Sequence, residues 1–199
     1  TFTGVGGHAA APHRTVDTIA MAAQFISTLQ TAVSRNSDPT EYAVITVGSI
    51  HAGHTYNVIP EKAELKGTIR SFSAESAALL ARRVKEIAEG IAQTYGGSAH
   101  FRYNEGYPAV MNDVETTNRF FSLAEELFGK EGVQLQQKPI MAGEDFAFYQ
   151  QQFPGTFFFL GSGSEECDAQ WDWHHPKYNV DERALITGAA MMGKLAFEG

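Results

Sequence analysis

Apolar residues at Val16, Ile19, Ala23, Ile26, Leu29 and Val33 recur near a 3.6-residue period, which predicts a helix starting at Arg14 or Thr15 and ending at Asn36-Ser37-Asp38-Pro39. Thr1 to Val5, ahead of it, is short and β-like. Tyr42 to Ile50 and Lys62 to Ser71 predict strands. In the second, Ala63, Leu65, Gly67 and Ile69 alternate with Lys62, Glu64, Lys66, Thr68 and Arg70, so Arg70 falls on the polar face. Ser73 is a helix cap with Glu75 in the first turn, and Leu80, Val84, Ile87, Ile91 and Tyr95 form the stripe of a second helix that Gly96-Gly97 stops. Ala99 to Tyr103 reads as a last strand. The order β-α-β-β-α-β over residues 1–106 is that of a ferredoxin-like α+β domain, four antiparallel strands backed by two helices.

The pattern changes after Gly106-Tyr107-Pro108. Asp113 to Phe128 predicts a helix ended by Gly129, Val133 to Gln137 a weak strand, and Asp145 to Gln152 a short helix. The apolar run Thr156 to Leu160, bounded by Gly155 and Gly161, predicts a strand buried on both faces inside a helix-covered sheet. Residues 107–199 hold too few strands for such a sheet. The expectation is a second, incomplete α/β portion completed by a preceding segment, with the 199 residues an excised piece that begins at Thr1.

Composition narrows the function classes. With 43% hydrophobic and 19% charged residues the chain reads as soluble and globular, and no apolar run approaches the roughly 20 residues of a membrane helix. A net charge of −8, with scattered basic residues, argues against nucleic acid as a partner. A single cysteine permits no internal disulfide, and the cytoplasm is the default location.

Four places hold candidate chemistry. Small residues on either side leave His8 uncrowded, either as a polar turn histidine or as a group that another molecule approaches closely. Asn57 and Arg70 offer an amide and a guanidinium, which together bind a carboxylate or, separately, are a turn asparagine and a solvated arginine. Glu144-Asp145 sits where a short helix begins; Asp145 reads as its N-cap and Glu144 as a residue able to face a metal-proximal pocket. His174-His175-Pro176 offers imidazole ligands, although adjacent histidines rarely hold one ion. His51, His54 and His100 read as surface or strand histidines. A hydrolytic metal centre needs three or four ligands, and neither a His-Glu-x-x-His run nor a Cys-x-His pair stands upstream.

Taken in order, Gly7-His8 with Pro12-His13, Ser34-Arg35 with Asp38-Pro39, Thr46-Val47-Gly48, Asn57-Val58-Ile59-Pro60, Gly67-Thr68-x-Arg70, Gly143-Glu144-Asp145-Phe146, Phe159-Leu160-Gly161 and His174-His175-Pro176 resemble one family along the whole chain. It is the metal-dependent amidohydrolase and peptidase family of aminoacylases, hippurate hydrolases and indole-acetyl-amino-acid hydrolases, with carboxypeptidase G and succinyl-diaminopimelate desuccinylase as distant relatives. The resemblance implies that residues 1–106 are a lid and dimerisation domain and residues 107–199 the C-terminal part of a catalytic domain. It implies that His8 reaches the partner subunit's active site to stabilise an oxyanion, that Asn57 and Arg70 bind the substrate carboxylate, that Glu144 lines the cleft, and that His174, not His175, is a metal ligand.

The activity implied is hydrolysis of N-acyl amino acids or similar small amides by a homodimer carrying two divalent metals per site, zinc or manganese. The general base and remaining ligands would lie outside this chain, leaving it inactive alone. Two departures stand out: Asp172-Trp173 is bulkier than the small apolar residue usual before the ligand, and Cys167 lies in a variable loop rather than in a ligand motif. A non-catalytic dimerisation and small-carboxylate-binding module is the rival reading.

Overall fold

In chain order the computed structural model, which describes residues 1–198, has β1 (Phe2–Thr3), β2 (Gly7–His8), α1 (Thr18–Asn36), β3 (Ala43–Ala52), β4 (Val58–Ile59), β5 (Lys62–Ser71), α2 (Ala74–Tyr95), β6 (Ser98–Ala99), α3 (Val114–Phe128), α4 (Phe146–Gln150) and α5 (Ala184–Glu198). The chain divides into two compact units, Thr1–Ala109 and Val110–Gly199.

In the first unit the sheet order is β3-β5-β1-β6, every neighbouring pair antiparallel, which is the ferredoxin-like arrangement. Both helices cover one face. Met21, Phe25 and Leu29 of α1 and Leu80, Val84 and Ile87 of α2 enclose a core with Phe2 and Ala63, against which Ile45, Leu65 and Ile69 pack. Helix α1 starts later than its apolar period suggests, because the Asp17 carboxylate accepts from the N–H groups of Ile19 and Ala20 at 2.8 and 3.1 Å. Its buried face is also rotated: Ile19 and Ala23 are exposed, and Met21, Ala22 and Phe25 are buried in their place. Replacing Asp17 by alanine is expected to cost about 1 kcal/mol, measured by denaturant unfolding, since two helix N–H groups lose their partner. Helix α2 starts and stops at the residues its pattern indicates, with Ser73 accepting from Ser76 and Gly96 at φ 79°.

Strands β3 and β5 run side by side for most of their length, interrupted once between Val47 and Ser49, where Gly48 bulges out. Gly67 faces that bulge, and a β-carbon there would lie 2.3 Å from the Thr46 carbonyl oxygen, so only glycine fits. The last strand is shorter than expected: β6 ends at Ala99.

The second unit corrects three expectations. No strand forms at 133–137; most of these residues are exposed, and the Gln136 amide turns back onto the Lys138 carbonyl. Thr156 to Leu160 is not a strand either. The Asn112 side chain satisfies both backbone groups of Phe157, accepting its N–H and donating to its carbonyl at 2.8 Å each, so a side-chain amide stands where a ladder would. Phe158 alone of that run joins the core of Leu123, Ala124 and Met191, while Phe159 and Leu160 are exposed. Asp145, expected to cap α4, makes no cap hydrogen bond because its backbone is already helical, at φ −70° and ψ −19°. Helix α5, which the sequence patterns did not single out, packs Met191 and Leu195 against α3.

Candidate functional site

His8 is placed by a chain of backbone constraints. After β1, Val5 and Val16 exchange hydrogen bonds at 2.9 and 3.2 Å. Gly4 permits this approach, since a β-carbon there would stand 2.2 Å from the Val16 carbonyl oxygen. Strand β2 then pairs antiparallel with β4, Gly7 against Ile59 and His8 against Val58, and the Ala9 N–H donates to the Asn57 carbonyl at 3.0 Å. Residues 50 and 52 positions apart in sequence thus become backbone neighbours.

Two local hydrogen bonds then orient the polar groups. Nδ1 of His8 accepts the Ala10 N–H at 3.0 Å, so a neutral ring carries its proton on Nε2 and presents it as a donor. The Thr55 hydroxyl donates to Oδ1 of Asn57 at 3.1 Å, which leaves the amide NH2 of Asn57 as the group offered outward. Both side chains are exposed. Sequence patterns did not single out Thr55, whose role depends on a side-chain contact with Asn57.

Arg70 lies elsewhere in the same unit. It pairs with Val44 on the sheet face that the helices leave open, and among the described residues its guanidinium has no ion pair. The β2/β4 ladder adjoins the Lys62 end of β5, where the Gly4 N–H donates to the Glu61 carbonyl at 2.9 Å. Eight residues of strand separate Lys62 from Arg70, about 26 Å at ~3.3 Å per residue. One chain therefore brings His8 and Asn57 together and holds Arg70 at the opposite end.

In the second unit, His174 is exposed, has φ 66°, and makes no side-chain hydrogen bond among the described residues. His175 is engaged through its ring face and Nδ1: the ring stacks on Trp171 and Nδ1 accepts the Lys177 N–H at 3.1 Å. Of the two imidazoles, His174 alone is left open for a ligand. Among the described residues no three His, Cys, Asp or Glu side chains cluster as a metal site. Of the expected metal ligands, this chain therefore offers His174 as a single candidate donor.

Residues 5–198 match the description of peptidase family M20/M25/M40. The chain belongs to that family. It is 42% identical over 196 residues to the N-acetyldiaminopimelate deacetylase of Streptococcus sanguinis, covering 98% of this chain and 50% of that protein. It is 39% identical over 193 residues to the N-acetylcysteine deacetylase of Bacillus subtilis, covering 97% and 49%. Among solved structures, a dinuclear metal-binding peptidase of the M20 family from Bacillus subtilis aligns with a TM-score of 0.66 at 34% identity, covering 98% of this chain and 48% of that one. The M20 chain thus spans about half the length of the curated relatives it matches.

The remaining candidate of this M20 chain, Glu144, is half-buried just before α4, and its carbonyl accepts the Ala147 N–H at 3.3 Å. Asp181 and Arg183 brace the segment that follows His174. The Arg183 guanidinium holds the Asp181 carboxyl down to about 2 and also reaches Glu166 at 3.1 Å. The Asn179 amide donates to the Cys167 carbonyl, so Cys167 belongs to a structural brace in the loop.

Proposed function

We propose that this chain supplies the substrate-gripping lid and one metal ligand of an amidohydrolase that cleaves N-acyl amino acids or similar small carboxylate-bearing amides. The observation that carries the reading is the hydrogen bond from Ala10 to Nδ1 of His8, which leaves an Nε2–H donor suited to a developing oxyanion. The relatives named for deacetylating N-acetylcysteine and N-acetyldiaminopimelate support the substrate class, because both compounds are N-acyl amino acids.

His174 would hold a divalent metal, zinc or manganese, which when bound supplies an activated water for attack on the amide carbonyl. His8 stabilises the charge that forms on the carbonyl oxygen. Asn57 and Arg70 bind the free carboxylate, the arginine through two parallel N–H donors. Glu144 lines the cleft.

The separation of Arg70 from His8 and Asn57 argues for two copies per site. Strand β3 is a ten-residue sheet edge without proline and with no charged residue except the titratable His51, a template for pairing with a second copy. Antiparallel pairing of two β3 edges about a two-fold axis brings the Arg70 end of one copy beside the His8 and Asn57 end of its mate.

Mixing two variants of the complete enzyme tests this arrangement. His8→Ala and Arg70→Ala homodimers should each hydrolyse N-acyl amino acids poorly. Random mixing makes half the dimers hybrid, each with one intact site of two, so activity should recover to about a quarter of the parent value. Mixtures no more active than the separate variants would count against a site shared between copies. No hydrolysis of N-acyl amino acids by the complete parent enzyme would remove the reading altogether.

A further inference from the structure

The segment Trp171 to Tyr178 treats its two adjacent histidines in opposite ways. The His175 ring lies flat on the Trp171 indole, centroids 4.2 Å apart and planes 8° from parallel, and the Lys177 ammonium sits 5.1 Å from the same indole centroid. The backbone of His175 is tied down as well, its N–H donating to the Asp172 carbonyl at 3.1 Å and its carbonyl accepting the Tyr178 N–H at 2.9 Å. On the other side, Trp173 rests against Phe159 with ring centroids 5.4 Å apart.

His174 is thus held between two anchored residues. It takes a left-handed backbone, φ 66°, that a side chain with a β-carbon avoids unless its surroundings over-determine it. Its own imidazole is exposed and makes no hydrogen bond or ring contact among the described residues.

We propose that Trp171 and His175 are a positioning pair for His174: their stack locks residue 174 in the left-handed conformation and so presents its imidazole to a divalent cation in one fixed direction. The inference rests on the reading of His174 as a ligand. Neither partner of the stack touches the cation. When the stack is lost, residue 174 relaxes to an ordinary backbone angle and the ring turns away.

The test uses the complete enzyme with zinc as the probe, affinity being read by competition with a chelator and folding by the thermal midpoint of the chelated protein. Trp171→Leu should weaken zinc binding by about 10- to 100-fold, as loss of a group that orients a ligand does, at an unchanged midpoint. Trp171→Phe keeps a flat ring under His175 and should restore affinity to within about threefold. His175→Leu should match the Trp171→Leu loss, and the double variant should lose no more than either alone, because both remove one stack.

Unchanged affinity in Trp171→Leu, or losses that multiply in the double variant, would overturn the proposal. So would a fall in the chelated midpoint that tracks the affinity loss. If Trp171→Leu fails to fold, Trp171→Phe and His175→Leu carry the comparison. His174→Ala separates this inference from the reading beneath it: zinc held as tightly without His174 sinks the ligand assignment. A loss there with tight binding by Trp171→Leu removes the positioning pair alone.

Discussion

Replacing His8 by alanine in the complete enzyme is expected to lower kcat by about 10²- to 10³-fold while KM changes little, the pattern for losing a donor that engages charge present only in the transition state. The physical basis is local. Nδ1 is occupied by the Ala10 N–H, so the neutral ring has one proton and it lies on Nε2. No reorganisation is needed when charge develops on the carbonyl oxygen. Stability should barely move, since the ring is exposed and water can replace it as acceptor for Ala10. His8→Gln, which keeps an N–H donor on a side chain of similar length, should recover part of the rate. Steady-state kinetics on an N-acetyl amino acid checks all three variants. A normal kcat for His8→Ala would leave this histidine as a surface residue and return the carboxylate-binding module to first place.

The second large effect has opposite signs in two measurements. His174→Gly should weaken metal binding by more than about 100-fold, exceeding what is typical for groups that merely orient a ligand. Yet it should leave the chelated protein more stable by up to about 1 kcal/mol. A side chain in the left-handed region costs about 1–2 kcal/mol, and glycine removes that cost while surrendering part of it through its freer unfolded chain. His174→Ala loses the metal but keeps the strain, so it should show no such gain. Thermal unfolding with excess chelator, beside a zinc titration, separates the two contributions. A chelated His174→Gly protein less stable than its parent would mean that residue 174 is not strained, and the account of its backbone would fall.

How much of this was legible in the sequence depended on the range of the forces involved. Helix α2 carries its start, stripe and stop within its own residues, at Ser73, Leu80 to Ile91 and Gly96, and it forms where those signals lie. The long strand β5 likewise occupies Lys62–Ser71, with Arg70 exposed on its polar side. Helix α1 was harder, because apolar residues line two adjacent stripes. Whether Ile19 and Ala23 or Met21 and Phe25 face inward is decided by contact with the sheet and with α2, which the periodicity of α1 does not encode.

The run Thr156 to Leu160 shows the same boundary from the other side. Its apolar character records a demand for burial, but a strand also needs a partner for its backbone, and the Asn112 amide takes that place from 45 residues away. The β2/β4 ladder is two residues long on each side and too short for any pattern to announce. It exists because the chain returns at Val58 and Ile59 to meet His8 and Gly7.

The candidate site residues were legible by type and by their order along the chain, since a donor set is a property of side chains. Their geometry was not. Tertiary structure decided that His8 and Asn57 share a ladder, that Arg70 lies a strand's length away, and that of two adjacent histidines one is stacked on Trp171 while the other is held open in a left-handed turn. Local propensities act over a turn or two of chain, whereas these placements come from pairings and stacks whose free energy appears only once the backbone has closed around them.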